Sequence, residues 1–142
     1  PKEGSHFDLP IALALLQALG LIPPDFLSRY VVMGELALDG AIRGISGVLP
    51  AAIAANGRDM GIICPAASGA EAAWAGEDVD VLAPANLVQL INHVKGTQVL
   101  TRPRPTTTAR EEVLPDLRDI KGQEAAKRAL EVTAAGGHHL LM

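Results

Sequence analysis

The chain has 142 residues, 49% of them apolar and 20% charged, with 12 basic and 16 acidic side chains and a formal net charge of -4, an ordinary balance for a soluble globular protein. With only Phe7, Phe26, Tyr30 and Trp74 aromatic, the core must be built from Leu, Ile, Val and Ala, and single-stranded nucleic-acid binding by aromatic stacking is not expected. A lone Cys64 excludes an internal disulfide. No apolar run approaches the roughly 18 residues that span a bilayer, so a protein of the reducing cytoplasm with no membrane partner is expected.

In chain order, Leu9 to Leu21 is nearly continuously apolar. Asp8 as N-cap and Pro10 in the first turn predict a well-buried helix ending at Gly20. Tyr30 to Leu38 and Ala41 to Ile45 flank Asp39-Gly40, a dipeptide suited to the positive φ angles of a tight turn, and predict a β-hairpin. A helix over Gly47 to Asn56 follows, then a strand from Gly61 to Cys64 closed by Pro65, where Cys64 reads as core filling. Ala66 to Ala75 reads as a helix, Val79 to Leu82 as a strand and Asn86 to Val94 as a helix, the rhythm of a layered α/β domain that ends near Lys95.

Residues 96–115 carry Gly96, Pro103, Pro105, Thr106 to Thr108 and Pro115, and predict an extended linker. Beyond it, Gly122 to Ala135 has helical spacing and stops at Gly136-Gly137, before His138 to Met142 enters a strand. Charge divides unevenly along this order. Residues 1–94 hold 4 basic and 10 acidic side chains, and residues 95–142 hold 8 and 6. The start at Pro1, without an initiator Met, and the stop within the last predicted strand read as a piece of something larger.

Two segments carry a family resemblance. Pro1-Lys-Glu-Gly, Met33-Gly-Glu-Leu-Ala-Leu-Asp-Gly40 and Ile62-Ile-Cys-Pro65 resemble the second half of the Lon-protease-like domain, which also occurs in RadA. Asp116-Leu-Arg-Asp-Ile-Lys-Gly-Gln-Glu-Ala-Ala-Lys-Arg-Ala-Leu-Glu131, followed by Ala134 to Met142, resembles the opening of the magnesium-chelatase AAA+ module. A Lon-like domain placed before the AAA+ module is the order of the ComM/YifB-type magnesium-chelatase family.

The resemblance implies an α/β (α+β) architecture: a Lon-protease-like/ribosomal S5 domain 2-like fold over residues 1–95, lacking its earlier strands, a linker over 96–115, and the first helix and strand of a AAA+ module over 116–142. In that family the Gly-rich phosphate loop comes next, and would lie beyond Met142. For the parent protein the resemblance implies ATP and Mg2+ as cofactors, a ring of identical subunits, a hexamer, and DNA as the substrate of an ATP-driven motor in recombination or natural transformation. The fragment itself is expected to be non-catalytic.

Lon-type proteolysis needs a Ser nucleophile and a Lys base. Laying the family's Pro-Lys-Asp-Gly-Pro-Ser pattern over Pro1 to His6 puts His6 at the nucleophile position, with Ser5 one residue early, and Leu49 falls where the Lys belongs. An apolar side chain is no base and a one-residue offset is too far for proton transfer, so the domain reads as a degenerate scaffold. A chelatase-type ATPase that serves magnesium insertion into a porphyrin is the alternative, and requires a partner integrin-type subunit.

The resemblance also places Ile120-Lys121-Gly122 against the adenine ring of a nucleotide, Ile120 meeting its face and Gly122 allowing close approach; ordinary packing at the start of the helix is the bland reading. His138 and His139, adjacent on a strand, face opposite sides and do not chelate one ion, and His6 reads as a turn residue rather than a ligand. Lys121, Lys127 and Arg128, mixed with Glu124 and Glu131, read as a solvated face. Arg102, Arg104 and Arg110 read either as phosphate contacts or as solubilising charges in the linker.

Overall fold

A computed structural model describes residues 6–106 and 116–141, which fall into two compact units, one on either side of the gap. The first unit opens with α1, Asp8–Ala18. Asp8 is not its N-cap. That place is taken by Phe7 without a side-chain cap, and Asp8 sits in the first turn, where a carboxylate meets the positive end of the helix. Pro10 also falls in the first turn, where a missing N–H costs no helical bond. The chain leaves the helix through Gly20, whose N–H donates to the Gln17 carbonyl at 2.9 Å while that of Leu21 donates to Leu16 at 2.9 Å.

The predicted burial of this helix is half right. Leu9 and Leu13 are fully buried, but Ile11, Leu15 and Leu19 are 58%, 59% and 65% exposed. A helix apolar all round needs cover on every side, and among the described residues α1 is covered on one face.

The predicted long hairpin divides. Tyr30–Val32 forms β1, which pairs in parallel with a later strand. Only Glu35–Leu36 (β2) and Ile42–Arg43 (β3) make the antiparallel hairpin, Glu35 opposite Arg43 and Leu36 opposite Ile42. The break falls at Gly34, where a Cβ would stand 2.9 Å from the Leu9 side chain and where the carbonyl receives the Leu9 N–H at 3.4 Å. The turn at Asp39-Gly40 forms, with positive φ at Gly40 and not at Asp39. Gly40 takes φ +82° and the Ala37 N–H donates to Ala41 at 2.9 Å.

The helix α2, Val48–Asn56, leads to β4, Gly61–Ile63. In place of the predicted continuous helix over 66–75, the chain makes a 3-10 turn (Ala66–Ser68), the short α3 (Gly69–Ala72) and a second 3-10 turn (Ala73–Ala75). The strand β5, Val81–Leu82, follows, and α4, Leu87–Val94, begins at Asn86, whose side chain accepts the Gln89 N–H at 2.9 Å.

The three parallel strands lie in the order β1-β4-β5, with Tyr30 opposite Gly61, Ile62 opposite Val81 and Ile63 opposite Leu82. Strand periodicity sends neighbouring side chains to opposite faces. Ile63 and Leu82 pack with Leu9 and Leu13 of α1 and Leu90 of α4. Ile62 and Val81 pack with Val48 and Ala52 of α2 and Ala72 of α3. The result is a sheet between two helical layers, the mixed α/β class expected.

Residues 97–106 form neither helix nor strand, yet they do not leave the first unit at Lys95. They run back along it, with Leu100 half-buried against the α1/α4 core.

In the second unit, Leu117–Asp119 makes a 3-10 turn capped by the Asp116 carboxylate, which accepts the Arg118 N–H at 3.0 Å. The helix α5 spans Glu124–Gly136 and closes at Gly137. The strand predicted from His138 is not formed through Leu141. A strand needs a neighbour for its backbone groups, and the described residues of this unit supply none. None of them is fully buried.

Candidate nucleotide-contacting segment

The segment between Asp116 and α5 is a compact turn. The Ile120 N–H donates to the Leu117 carbonyl at 3.2 Å, and Ile120 itself takes extended backbone angles (φ -80°, ψ 116°). Its side chain is 45% exposed. Gly122 follows at φ +72°, with nothing within 4 Å of where a Cβ would stand, and Gln123 keeps the left-handed conformation at φ +59°. Two left-handed residues in succession swing the chain into α5. Gln123 makes no side-chain cap there, and its carbonyl accepts the Lys127 N–H at 2.9 Å.

Ile120, Lys121 and Gly122 are thus neighbours on an exposed surface: an apolar side chain, a cation and an open stretch of backbone. On α5, Arg128 is solvated and pairs with Glu131 at 3.0 Å. Lys127 departs from the expected solvated face. Its side chain is only 17% exposed, lying along the helix to meet Glu124 at 3.2 Å.

The positions at which the Lon resemblance looks for a Ser–Lys dyad hold other residues. His6 is an exposed turn residue, and Ser5 lies outside the described residues. Leu49 stands half-buried in the first turn of α2, where its backbone N–H donates to the Glu71 carboxylate at 3.2 Å. The one thiol is no substitute nucleophile: Cys64 is fully buried, and burial, with the Glu71 charge, pushes its pKa up to about 12.

Among the described residues no group of three His, Cys, Asp or Glu side chains is placed to hold a metal ion, and His138 and His139 are exposed. No helix there is long and apolar enough to cross a membrane. Of the three linker arginines, Arg110 lies outside the described residues and Arg104 is exposed. Arg102 is committed: its guanidinium donates to the backbone carbonyls of Gly76 and Glu77.

Comparison with known proteins decides the family. A profile described as subunit ChlI of Mg-chelatase matches residues 1–68, and one described as magnesium chelatase, subunit ChlI, matches residues 116–142. YifB of Salmonella typhimurium is 40% identical over 142 residues, and YifB of Escherichia coli 39%. The competence protein ComM of Haemophilus influenzae is 36% identical over 148 residues, covering 99% of this chain.

The chain belongs to the magnesium-chelatase family, of the ComM/YifB type. It spans 28% of the length of each of these relatives. Both magnesium-chelatase profiles leave residues 69–115 unmatched, the stretch that holds α3, β5, α4 and the Arg102 contact. The Arg102 contact is the feature sequence reasoning missed. A Pro-rich segment with three arginines reads as a solvated linker, and only the geometry shows one guanidinium aimed at two consecutive carbonyls.

Proposed function

We propose that this magnesium-chelatase-family chain belongs to an ATP-dependent machine, in which residues 116–141 open the nucleotide-binding AAA+ module and the first unit is a non-catalytic, degenerate Lon-like scaffold. The observation that carries this reading is the Ile120-Lys121-Gly122 turn. A half-exposed apolar side chain beside a glycine with open space around it fits a planar base, Ile120 lying on its face while the Gly122 backbone comes close. Hydrolysis of bound ATP, with Mg2+, supplies the free energy; the residues described here hold only the base end.

For the whole protein we propose a ring of identical subunits, a hexamer, acting as a motor on DNA. The name of the Haemophilus relative, a competence protein, supports that substrate. ATPase turnover of the full-length protein tests it, measured without ligand, with branched DNA, and with protoporphyrin plus magnesium. Stimulation by DNA alone supports the motor. Stimulation only by porphyrin with an integrin-type partner subunit supports the second reading, magnesium insertion, which the descriptions of the two matching profiles favour. Proteolysis is disfavoured by Leu49 at the place of the base, and casein cleavage by the full-length protein would overturn that rejection.

A further inference from the structure

The chain leaves α4 at Lys95 and is caught three times within four residues. The Leu100 N–H donates to His93 Nδ1 at 3.1 Å, and the Leu100 side chain packs against the α1/α4 layer. The guanidinium of Arg102 forks onto the Gly76 and Glu77 carbonyls, which follow the last helical turn before β5. Pro103 sits against Gly69 of α3, where a Cβ would stand 2.8 Å from the proline ring and 2.7 Å from Ala83. Within these few residues the chain crosses from one helical layer to the other, beside β5, an edge strand of the sheet. Arg102 to Pro105 then wall an open cleft of about 570 Å³ with Ala73, Glu77 and Asp78.

We infer that residues 98–105 are a clasp, latched by Arg102, which sets the point at which the first unit lets go of the chain leading to the second. A Lys would replace the latch poorly, because its ammonium offers all its N–H groups from one nitrogen on a flexible stem, whereas the guanidinium holds two nitrogens apart in a plane, one for each carbonyl. The clasp makes no ladder or helical hydrogen bonds of its own, so its local anchors alone oppose the conformational entropy of the ordered residues. Losing one anchor is therefore enough to open it. Closed, the first unit holds the chain as far as Pro105; open, the hold ends at Gln98, whose N–H donates to the Asn92 carbonyl at 3.2 Å, seven residues earlier.

The test uses the full chain with nitroxide labels at Arg58→Cys and Thr106→Cys, both exposed and both in the first unit, while buried Cys64 stays unlabelled. A narrow distance distribution is expected, broadening in Arg102→Ala and in Arg102→Lys, with hydrogen exchange at the Leu100 amide faster by about tenfold or more. Circular dichroism should show the remainder of the unit still folded. A distribution already broad in the unmutated chain, or one that stays narrow in both variants, overturns the clasp. So does unfolding of the unit by Arg102→Ala, Arg102→Lys and Leu100→Ala alike, because the segment would then be core rather than clasp.

Discussion

The Tyr30 hydroxyl donates a hydrogen bond to the Asp80 carboxylate, 50 residues away, across the backbone of Gly61. Tyr30 begins β1, Gly61 begins β4 opposite it, and Asp80 immediately precedes β5, so one side chain ties the two edges of the sheet over its middle strand. The tie requires a glycine. A Cβ at Gly61 would stand 2.7 Å from both the Tyr30 ring and the Asp80 carbonyl oxygen.

Gly61→Ala should therefore cost about 1–3 kcal/mol of stability through overpacking against backbone, and Tyr30→Phe about 1 kcal/mol. Urea denaturation of the chain, followed by circular dichroism, checks the order of the two. A smaller cost for Gly61→Ala than for Tyr30→Phe would show that the tyrosine hydroxyl, rather than the space above Gly61, dominates.

The same pair gives an alkaline signature. Burial, then the hydrogen bond and charge of Asp80, push the Tyr30 phenol up to about 12. The folded state thus holds its proton more tightly than the unfolded chain, where a tyrosine titrates near 10. The stabilisation is complete below about pH 10 and fades as pH rises towards 12. Melting temperatures between pH 9 and 12 should fall more steeply for the unmutated chain than for Tyr30→Phe.

Cys64 should be inert in the native state. With no exposed surface and a thiol pushed up to about 12, it offers almost no thiolate at pH 8, and a disulfide reagent should label it only as fast as the chain opens. Rapid labelling of one equivalent under native conditions would contradict the packing of the α2/α3 layer.

On α1, Leu13→Ala should cost about 2–5 kcal/mol, as for a fully buried leucine, while Leu15→Ala at a site 59% exposed should change stability by less than about 0.5 kcal/mol. Chemical denaturation of both variants gives the comparison. A large loss from Leu15→Ala would mean that this face is covered in solution.

On the proposed ATPase reading, Ile120→Ala in the full-length protein should raise KM for ATP several-fold with kcat unchanged, because a face-on apolar contact would bind ground state and transition state alike. A fall in kcat at constant KM would remove Ile120 from the base contact.

Much of the first unit was legible in the sequence, for local reasons. Asp39-Gly40 specifies its turn through backbone conformation, Asn86 caps its helix through a side chain four residues or fewer away, and Pro65 stops β4. Non-local features were not legible. Gly34 ends β1 because Leu9 presses against it from another element, and the 66–75 segment is broken into short turns around Gly69, where Ala83 and Pro103 crowd in. The outward half of α1 was misread because an apolar helix looks the same from sequence whether or not every face is covered. At the candidate site, Ile120 and Gly122 were named from the family resemblance alone, whereas the left-handed backbone of Gln123 and the covered side chain of Lys127 had no sequence signal.

The second unit has a consequence of its own. With nothing in residues 116–141 fully buried, it has little hydrophobic free energy to set against the entropy of ordering α5 and its preceding turn. Its fold is then conditional, and any ligand that prefers the ordered turn raises the helical population by mass action. On the proposed reading of Ile120 as a nucleotide contact, the measured affinity would contain the cost of making the helix, and a substitution far along α5, such as Ala129→Gly, should weaken binding without touching the ligand.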